Sequence, residues 1–414
     1  MSASGSTASG STAPGPNAPP PNAPRRVLVL GGTGVFGRRL ARHLATHGMG
    51  GSPVDLVVSS RDRARAEALA GTLRAETGAA VAGQAVDTRH GFADTLDRIG
   101  PWAVVDCSGP FQGAGHGTAR AILGAGAHAI DLADARDYLH AYPASLDAVA
   151  RAQGVVGLAG ASSTPTLSGA VVTELTRGWR EVGAIDIAIV PGGRSEVGRS
   201  VLDAVLSYAG RPVPLWQDGR VASARGWGGG HAIEVEGLGR RRVARVETVD
   251  AERLGARHDV RGHVAFWAGL ESTPEQRGLE LLSWLVGRGV PLPLPRLAAP
   301  LHRARALTRL TTGDRGGMVV RASGIDADGR RTNAEWTLLA VDGSGPQVPV
   351  LAAAAALGSI ARGRVPPGAR LADEACALDT IMAEAAPYPI TARIERDRRP
   401  ASGKAGERPA RHAA

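Results

Sequence analysis

Seven residues, Gly31-Gly32-Thr33-Gly34-Val35-Phe36-Gly37, hold glycines at the spacing Gly32-x-Gly34-x-x-Gly37. The apolar run Val27–Leu30 precedes them, and in the stretch that follows Phe36, Leu40 and Leu44 recur every fourth residue. The order strand, glycine turn, helix sets the start of a helix, with its unpaired amides, against an anion. In such a motif Gly32 allows the tight turn, Gly34 lets the backbone approach a pyrophosphate, and Gly37 lets the helix lie close to the strand. A glycine-rich turn without a ligand is the alternative, and the strand–turn–helix–strand context argues against it. Residues 31–37, with Thr33, Val35 and Phe36 between the glycines, are therefore expected to hold a dinucleotide.

The next β-branched run, Val54–Ser59, decides which one. A carboxylate about 20 residues past the glycines would bind a ribose 2′-hydroxyl. Here the run ends in Ser60 and Arg61 instead. A serine hydroxyl and a planar guanidinium suit a 2′-phosphate, which favours NADP over NAD. Asp62 reads as the cap of the helix over 62–77. Two further strand ends belong to the same crevice. Asp87 follows the run 80–86 and can meet the adenine, and Ser108-Gly109-Pro110 follows the run 102–107 and can curve over the cofactor. Asp106 reads as a capped strand end, and Cys107 as a small buried thiol with no base or metal partner in view.

Hydride chemistry asks little of side chains beyond a held geometry and a proton donor or charge-stabilising group. The candidates are Ser163 and Thr164, in the loop Ser162-Ser163-Thr164-Pro165 past the run 155–159, and His116. Ser162 is a candidate substrate contact. The same loop can equally be a helix cap, and His116 a solvated loop residue. Asp131 and Asp134 lie at another strand end, where they can shape the site or cap the following helix. Arg194, in Gly192-Gly193-Arg194-Ser195, can meet an anionic substrate group, or simply face solvent. His43 and His47 have helical metal spacing but no third ligand, so a solvated helix face is expected and no metal site. His258 and His263 have equally weak support.

The chain that must position these residues has 414 residues, 43% hydrophobic and 21% charged, an ordinary globular balance. Two cysteines, Cys107 and Cys376, make no disulfide framework and fit a reducing cytoplasm. No apolar stretch reaches the roughly 18 residues of an integral membrane span, and no secretory signal is visible at the N-terminus. The net charge is +9, almost all from arginine, since Lys404 is the single lysine. A Walker lysine and a Schiff-base lysine are thereby missing from the body. The arginines are scattered and aromatics are only 4%, so no nucleic-acid partner is expected.

Strands alternate with helices through the first half, which argues for a parallel sheet covered on both faces. The second half turns to short runs joined by Asp218-Gly219 and Asp328-Gly329, the chemistry of hairpins. The fold class is α/β: a Rossmann-type N-terminal parallel sheet and a second α+β domain with a mixed or antiparallel sheet. The expected divisions are a disordered arm 1–24, a cofactor domain 25–165 and a second domain 166–345 for substrate or dimerisation. C-terminal helices 346–395 would then return to the first domain, before a disordered basic tail 396–414. The segment 274–286, apolar nearly all round, reads as a buried helix or homodimer interface, with a lid for a lipid-like substrate near a membrane surface as the alternative.

The motifs GGTGVFG, SSRD, VVDCSGPF (104–111) and GAHAIDLADA (126–135) resemble the NADP-binding domain of saccharopine dehydrogenase-like oxidoreductases. GLAGASSTPTLSGAVV (157–172) is similar to the segment by which that family enters its second domain, and the likeness thins out after residue 175 but extends to about 390. The resemblance implies NADP-linked redox chemistry but no particular substrate; a small-molecule or lipid-like one is expected. Pro165 is followed by Thr166 where saccharopine-handling members carry Pro-Gly, and the body lacks the catalytic lysine of the lysine-forming relatives. Both departures argue against saccharopine itself. A non-catalytic NADP-binding regulator and a lipid-associated enoyl or keto reductase are the rival readings.

Overall fold

The computed structural model describes residues 24–196, 199–292, 294, 297 and 312–398. The expected arm up to residue 23, the tail from 399, residues 197–198 and, in the proline-rich segment 287–300, most of the residues from 293 on lie outside the described residues. Two compact units emerge, one formed by the described parts of 1–133, 137–161 and 353–375, the other by those of 134–136, 162–352 and 376–414.

The first unit is a seven-stranded sheet. Its strands are β1 (Arg25–Leu30), β2 (Val54–Ser60), β3 (Val81–Ala85), β4 (Ala103–Asp106), β5 (His128–Asp131), β6 (Val156–Ala159) and β15 (Gly368–Leu371). They lie in the order β15-β6-β5-β4-β1-β2-β3, all parallel. Parallel strands need crossovers, and helices supply them: α1 (Gly37–His47), α2 (Arg63–Thr77), α3 (Phe92–Ile99), α4 (Gly117–Gly124) and α5 (Arg136–Ala152). Val27, Leu28 and Val29 are wholly buried, as a central strand covered on both faces requires. The order of strands reverses between β1 and β4, which is where open sheets of this kind bind ligands. On α1, Leu40 and Leu44 face the core as expected. His43 is buried too, only 1% exposed, so that part of the helix is not the solvated face its sequence suggested; its ring lies 5.2 Å from that of the exposed His47.

The second unit holds a mixed nine-stranded sheet. Its strands are β7 (Glu181–Val190), β8 (Pro212–Gln217), β9 (Arg220–Arg225), β10 (His231–Val235), β11 (Gly239–Arg245), β12 (His263–Ala268), β13 (Gly316–Ile325), β14 (Arg331–Ala340) and β16 (Ile390–Arg398). The main path is β10-β11-β12-β7-β13-β14-β16, with β8 pairing β12 and β9. Only β7 and β12 run parallel; the other pairs are antiparallel. Asp218 and Gly219 both take positive φ, 51° and 75°, and close the β8–β9 hairpin with Gln217 opposite Arg220. Two positive φ values are what a primed two-residue turn demands. The helices are α6 (Ser168–Leu175), α7 (Arg199–Ser207), α8 (Asp250–Arg257), α9 (Thr273–Gly287), α10 (Val348–Ala361) and α11 (Leu378–Ala385).

Two expectations need correction. The stretch 346–395 is not purely helical, because it contributes β15 to the first sheet and most of β16 to the second. The tail expected from residue 396 is part of β16, whose Arg396, Asp397 and Arg398 pair with Ala334, Asn333 and Thr332. Hydrogen bonds along β14 hold these polar residues in a strand despite their low β propensity. Trp336 on β14 is 1% exposed and is among the largest fully buried side chains. Trp336→Ala is expected to lower the stability of the second unit by about 3–5 kcal/mol, read by chemical denaturation.

Candidate functional site

The glycine turn is held by its own backbone. Gly31 has φ +64°, and its carbonyl accepts the Gly34 amide at 2.9 Å. The positive φ thus belongs to Gly31, not to Gly32 as the motif suggested. Gly32 donates to the Ser59 carbonyl at 2.8 Å, and a Cβ there would press on the Ser59 amide and Val58. A Cβ at Gly37 would fall on the Gly31 carbonyl, within 2.8 Å of its carbon and of Gly32 Cα. Helix α1 therefore starts in backbone contact with the turn. Phe36 caps it with no side-chain hydrogen bond; within its first turn the Arg38 amide is taken by the Gly34 carbonyl at 3.1 Å and the Arg39 and Leu40 amides by the Phe36 carbonyl at 3.0 and 2.9 Å. A Cβ at Gly34 would meet only the Gly31 carbonyl, at 3.1 Å, which leaves the approach to the helix start bare of side chains.

At the end of β2, the Ser60 hydroxyl accepts from the Asp62 amide at 3.2 Å, and Asp62 accepts from the Arg65 amide at 3.3 Å. Asp62 is the N-cap of α2, as its sequence position predicts, and its carboxylate is committed there. Arg61 is exposed at the strand tip. Asp87 lies two residues past β3 and turns back on its own loop, accepting from the Arg89 amide at 2.9 Å and meeting His90 Nδ1 at 3.0 Å. Those two hydrogen bonds, the histidine's first, hold its carboxyl below the usual range.

The ends of β4 and β5 bring two carboxyl groups into register, Asp106 beside Asp131. Asp106 accepts from the amide and hydroxyl of Ser108, at 2.8 and 2.5 Å, and so bends the Ser108-Gly109-Pro110 loop. Cys107 donates its amide to the Leu30 carbonyl at 3.0 Å. A Cβ on Gly31 would meet Ser108 Cα at 2.8 Å, so this loop and the glycine turn lie directly against each other. Burial pushes the Cys107 thiol well up, and both neighbouring carboxylates add to the shift, which leaves it protonated and inert.

Asp131 is 3% exposed. Its Oδ1 accepts from the amides of Ala133 and Gly160, at 3.0 and 2.9 Å, and its Oδ2 from the Tyr138 hydroxyl at 3.0 Å. Burial pushes its carboxyl up to about 7, and Asp106 adds to the rise against these three hydrogen bonds. His116 is half-buried, and its Nε2 lies 2.9 Å from the Tyr138 carbonyl while its ring packs on Tyr138, with centroids 4.5 Å apart. Tyr142, wholly buried, carries a hydroxyl with no hydrogen-bond partner. Neither tyrosine was picked out by motif. The available signal was their spacing: two of the chain's four tyrosines sit four apart, just after Asp131.

In the second unit, Ser162, Ser163 and Thr164 are half-buried. Ser162 precedes a π-type turn, Ser163–Leu167, and makes no side-chain cap bond; the Leu167 amide bonds its carbonyl instead, at 3.1 Å. The capping alternative therefore does not describe Ser162. Asp134 is exposed, and its charge helps hold the Tyr208 hydroxyl protonated, after burial. The loop of Arg194 has an occupant from its own chain. Glu271 Oε2 accepts from the amides of Gly193 and Gly313, at 2.7 and 3.0 Å, in the place where an anionic ligand was expected. Arg194 itself is exposed and not without a partner. His263 Nε2 lies 2.9 Å from Asp186, and burial lowers His258 to about 4. Among the described residues no group of three or more His, Cys, Asp or Glu could hold a metal, and no helix is long and apolar enough to cross a membrane.

No family model matches the chain, and no curated protein does. Solved structures do. Saccharopine dehydrogenase (L-Glu forming) from Saccharomyces cerevisiae is 13% identical over 90% of this chain and 100% of that one, with a TM-score of 0.60. Amine dehydrogenase from Mycobacterium smegmatis is 13% identical over 86% and 97%, at 0.45. The DAP dehydrogenase of C. glutamicum is 16% identical over 88% and 98%, at 0.43. At such identities the likeness is one of fold. The chain has the fold of saccharopine dehydrogenase, and the resemblance read from its motifs is met in three dimensions.

Asp131 makes a pH-dependent contribution with a definite sign. Its folded value near 7 lies above the roughly 3.9 of an unfolded aspartate, so the folded state holds the extra proton between them. Stability from this group is therefore lost as pH rises from about 4 through about 7. Relative to the wild type, Asp131→Asn should gain in melting temperature across that window and level off above it. A difference that does not vary with pH would contradict the assignment.

Proposed function

We propose that the chain is an NADP-linked oxidoreductase of the saccharopine dehydrogenase-like family, acting on a small or lipid-like substrate. One observation carries this reading: the start of α1 is held in backbone contact with the Gly31 turn, and no side chain at Gly34 screens it. A pyrophosphate fits that cradle, with amide donors and the positive end of the helix dipole facing it. In this reading Gly31, Gly32, Thr33, Gly34, Val35, Phe36 and Gly37 line the diphosphate, and Ser60 and Arg61 take the 2′-phosphate. The commitment of Asp62 to the Arg65 amide favours a phosphate at that tip over a bare ribose hydroxyl. Asp87 would lie toward the adenine, and Ser108, Gly109 and Pro110 would contact the cofactor.

A bound nicotinamide cofactor would supply or accept the hydride. The chain's own groups manage the proton. Ser163 and Thr164 offer hydroxyls for the acceptor atom, and Ser162 a substrate contact. His116 donates from Nε2 to the Tyr138 carbonyl, so Nδ1 is its position for taking up or releasing a proton. Arg194 does not belong to this set, because its loop already binds Glu271.

Calorimetry with NADPH and NADH tests the proposal. NADPH should bind more tightly, and Arg61→Ala should weaken NADPH by roughly 10–100-fold while sparing NADH, the effect of losing a charged hydrogen-bond pair. Gly37→Ala should weaken both. Equal affinity for the two nucleotides, or indifference to Arg61→Ala, would refute the NADP assignment. Tight binding without turnover of a broad panel of keto, imine and enoyl compounds would favour the non-catalytic regulator.

A further inference from the structure

Helix α9 is anchored by polar side chains while large apolar ones reach solvent. The residues it buries are Gln276, Leu279 and Ser283, the two polar ones completely. Gln276 accepts from the Leu270 amide at 3.0 Å and donates to Glu280 at 3.0 Å, and Ser283 donates to the Gly226 carbonyl at 2.7 Å. These bonds fix the helix by its polar side. Leu282, Leu285 and Val286 are half-buried, and two of its apolar residues with one just beyond it face outward: Leu281 is 57% exposed, Trp284 41%, and Val290 39%. They are three of the five exposed large hydrophobic residues among those described. A helix with this apolar run would ordinarily be buried.

The outward face is ringed by cations. Arg277 lies one turn before Leu281, and Arg288 stacks on the Trp284 ring, 5.1 Å from its centroid. Beside them a cleft of about 440 Å³ is walled by Arg225, the Gly228–Gly230 backbone, Arg242 and Trp284. Glu280, the acid in that cleft, is held by Arg242 at 2.7 Å. Arg225, Arg277 and Arg288 are exposed and have no ion pair among the described residues. Residues 293–311, next in sequence, contain four arginines and no acid.

We propose that this face of α9 docks on an anionic lipid bilayer, with Leu281, Trp284 and Val290 entering the headgroup region and Arg225, Arg277 and Arg288 meeting lipid phosphates. Charge decides against a second copy of the chain as the cover. An isologous pair would set the same unpaired arginines against each other, with Glu280 already engaged. Exposed Trp and Leu flanked by Arg is the composition that lies in a membrane interface, where a tryptophan is amphipathic and each arginine is drawn to negative headgroups.

Sedimentation of the full chain with phosphatidylcholine vesicles, with and without phosphatidylglycerol, tests this. Binding is expected only to the anionic vesicles and should weaken with salt. The double variants Arg277→Glu with Arg288→Glu, and Leu281→Asn with Trp284→Asn, change exposed positions, and their folding is checked by circular dichroism. Each should lose about tenfold or more in vesicle affinity. No binding to anionic vesicles, or equal binding to neutral ones, overturns the proposal. Binding that persists in both variants also overturns it, since other arginines would then be responsible. A concentration-dependent dimer that either variant dissociates would assign the face to a second copy instead.

Discussion

The contact between the first turn of α1 and the Gly31 carbonyl constrains everything around it. Backbone meets backbone there, and a single added methyl at Gly37 has no room. The contact sets where α1 begins, and so where the positive end of its dipole points. It also sets the distance to β2, through the Gly32 amide on the Ser59 carbonyl, and to the β4 loop, through Ser108 against Gly31. Three strand ends are thereby gathered around one helix start.

Asp131 does for β5 and β6 what the glycine turn does for β1 and β2. One carboxyl group holds the amides of Ala133 and Gly160 and the hydroxyl of Tyr138, while its own carbonyl takes the Ala161 amide at 2.8 Å. The place has an electrostatic cost, because Asp106 stands in register beside it and burial opposes both charges. Keeping a proton near neutral pH is how such a pair avoids two adjacent buried charges. His116 and Tyr138 extend the cluster, so the proton chemistry available in this unit is concentrated at one end of its sheet.

The parallel sheet was legible in the sequence because its strands are short apolar runs separated by helices with a clear period. Asp62 was legible as a cap because its position before an Arg/Ala-rich helix leaves it little else to do. Other features needed the third dimension. Gly31 rather than Gly32 takes the positive φ, since three glycines near one turn cannot be ranked by type. Glu271 takes the Gly193 amide of the Arg194 loop from 78 residues away in sequence, a pairing that no local pattern encodes. His43 was assigned to solvent from its polarity, and packing buried it. The apolar segment 274–286 is a helix, as its sequence predicts, but its composition does not tell which side it buries: Gln276 and Ser283 are wholly buried and Leu279 nearly so, while Leu281 and Trp284 are exposed.

Both sheets are finished by distant segments. β15 pairs with β6 across more than 200 residues, and β16 lies along β14 for nine residue pairs close to the end of the described chain. A growing polypeptide on the ribosome would therefore carry two open sheet edges, β6 and β14, until β15 and β16 are synthesised. Exposed edges of that length invite pairing with other chains. The interval between making β6 and supplying β15 is thus the period in which nascent molecules most need a chaperone, and clipping before residue 368 should leave both edges permanently uncovered.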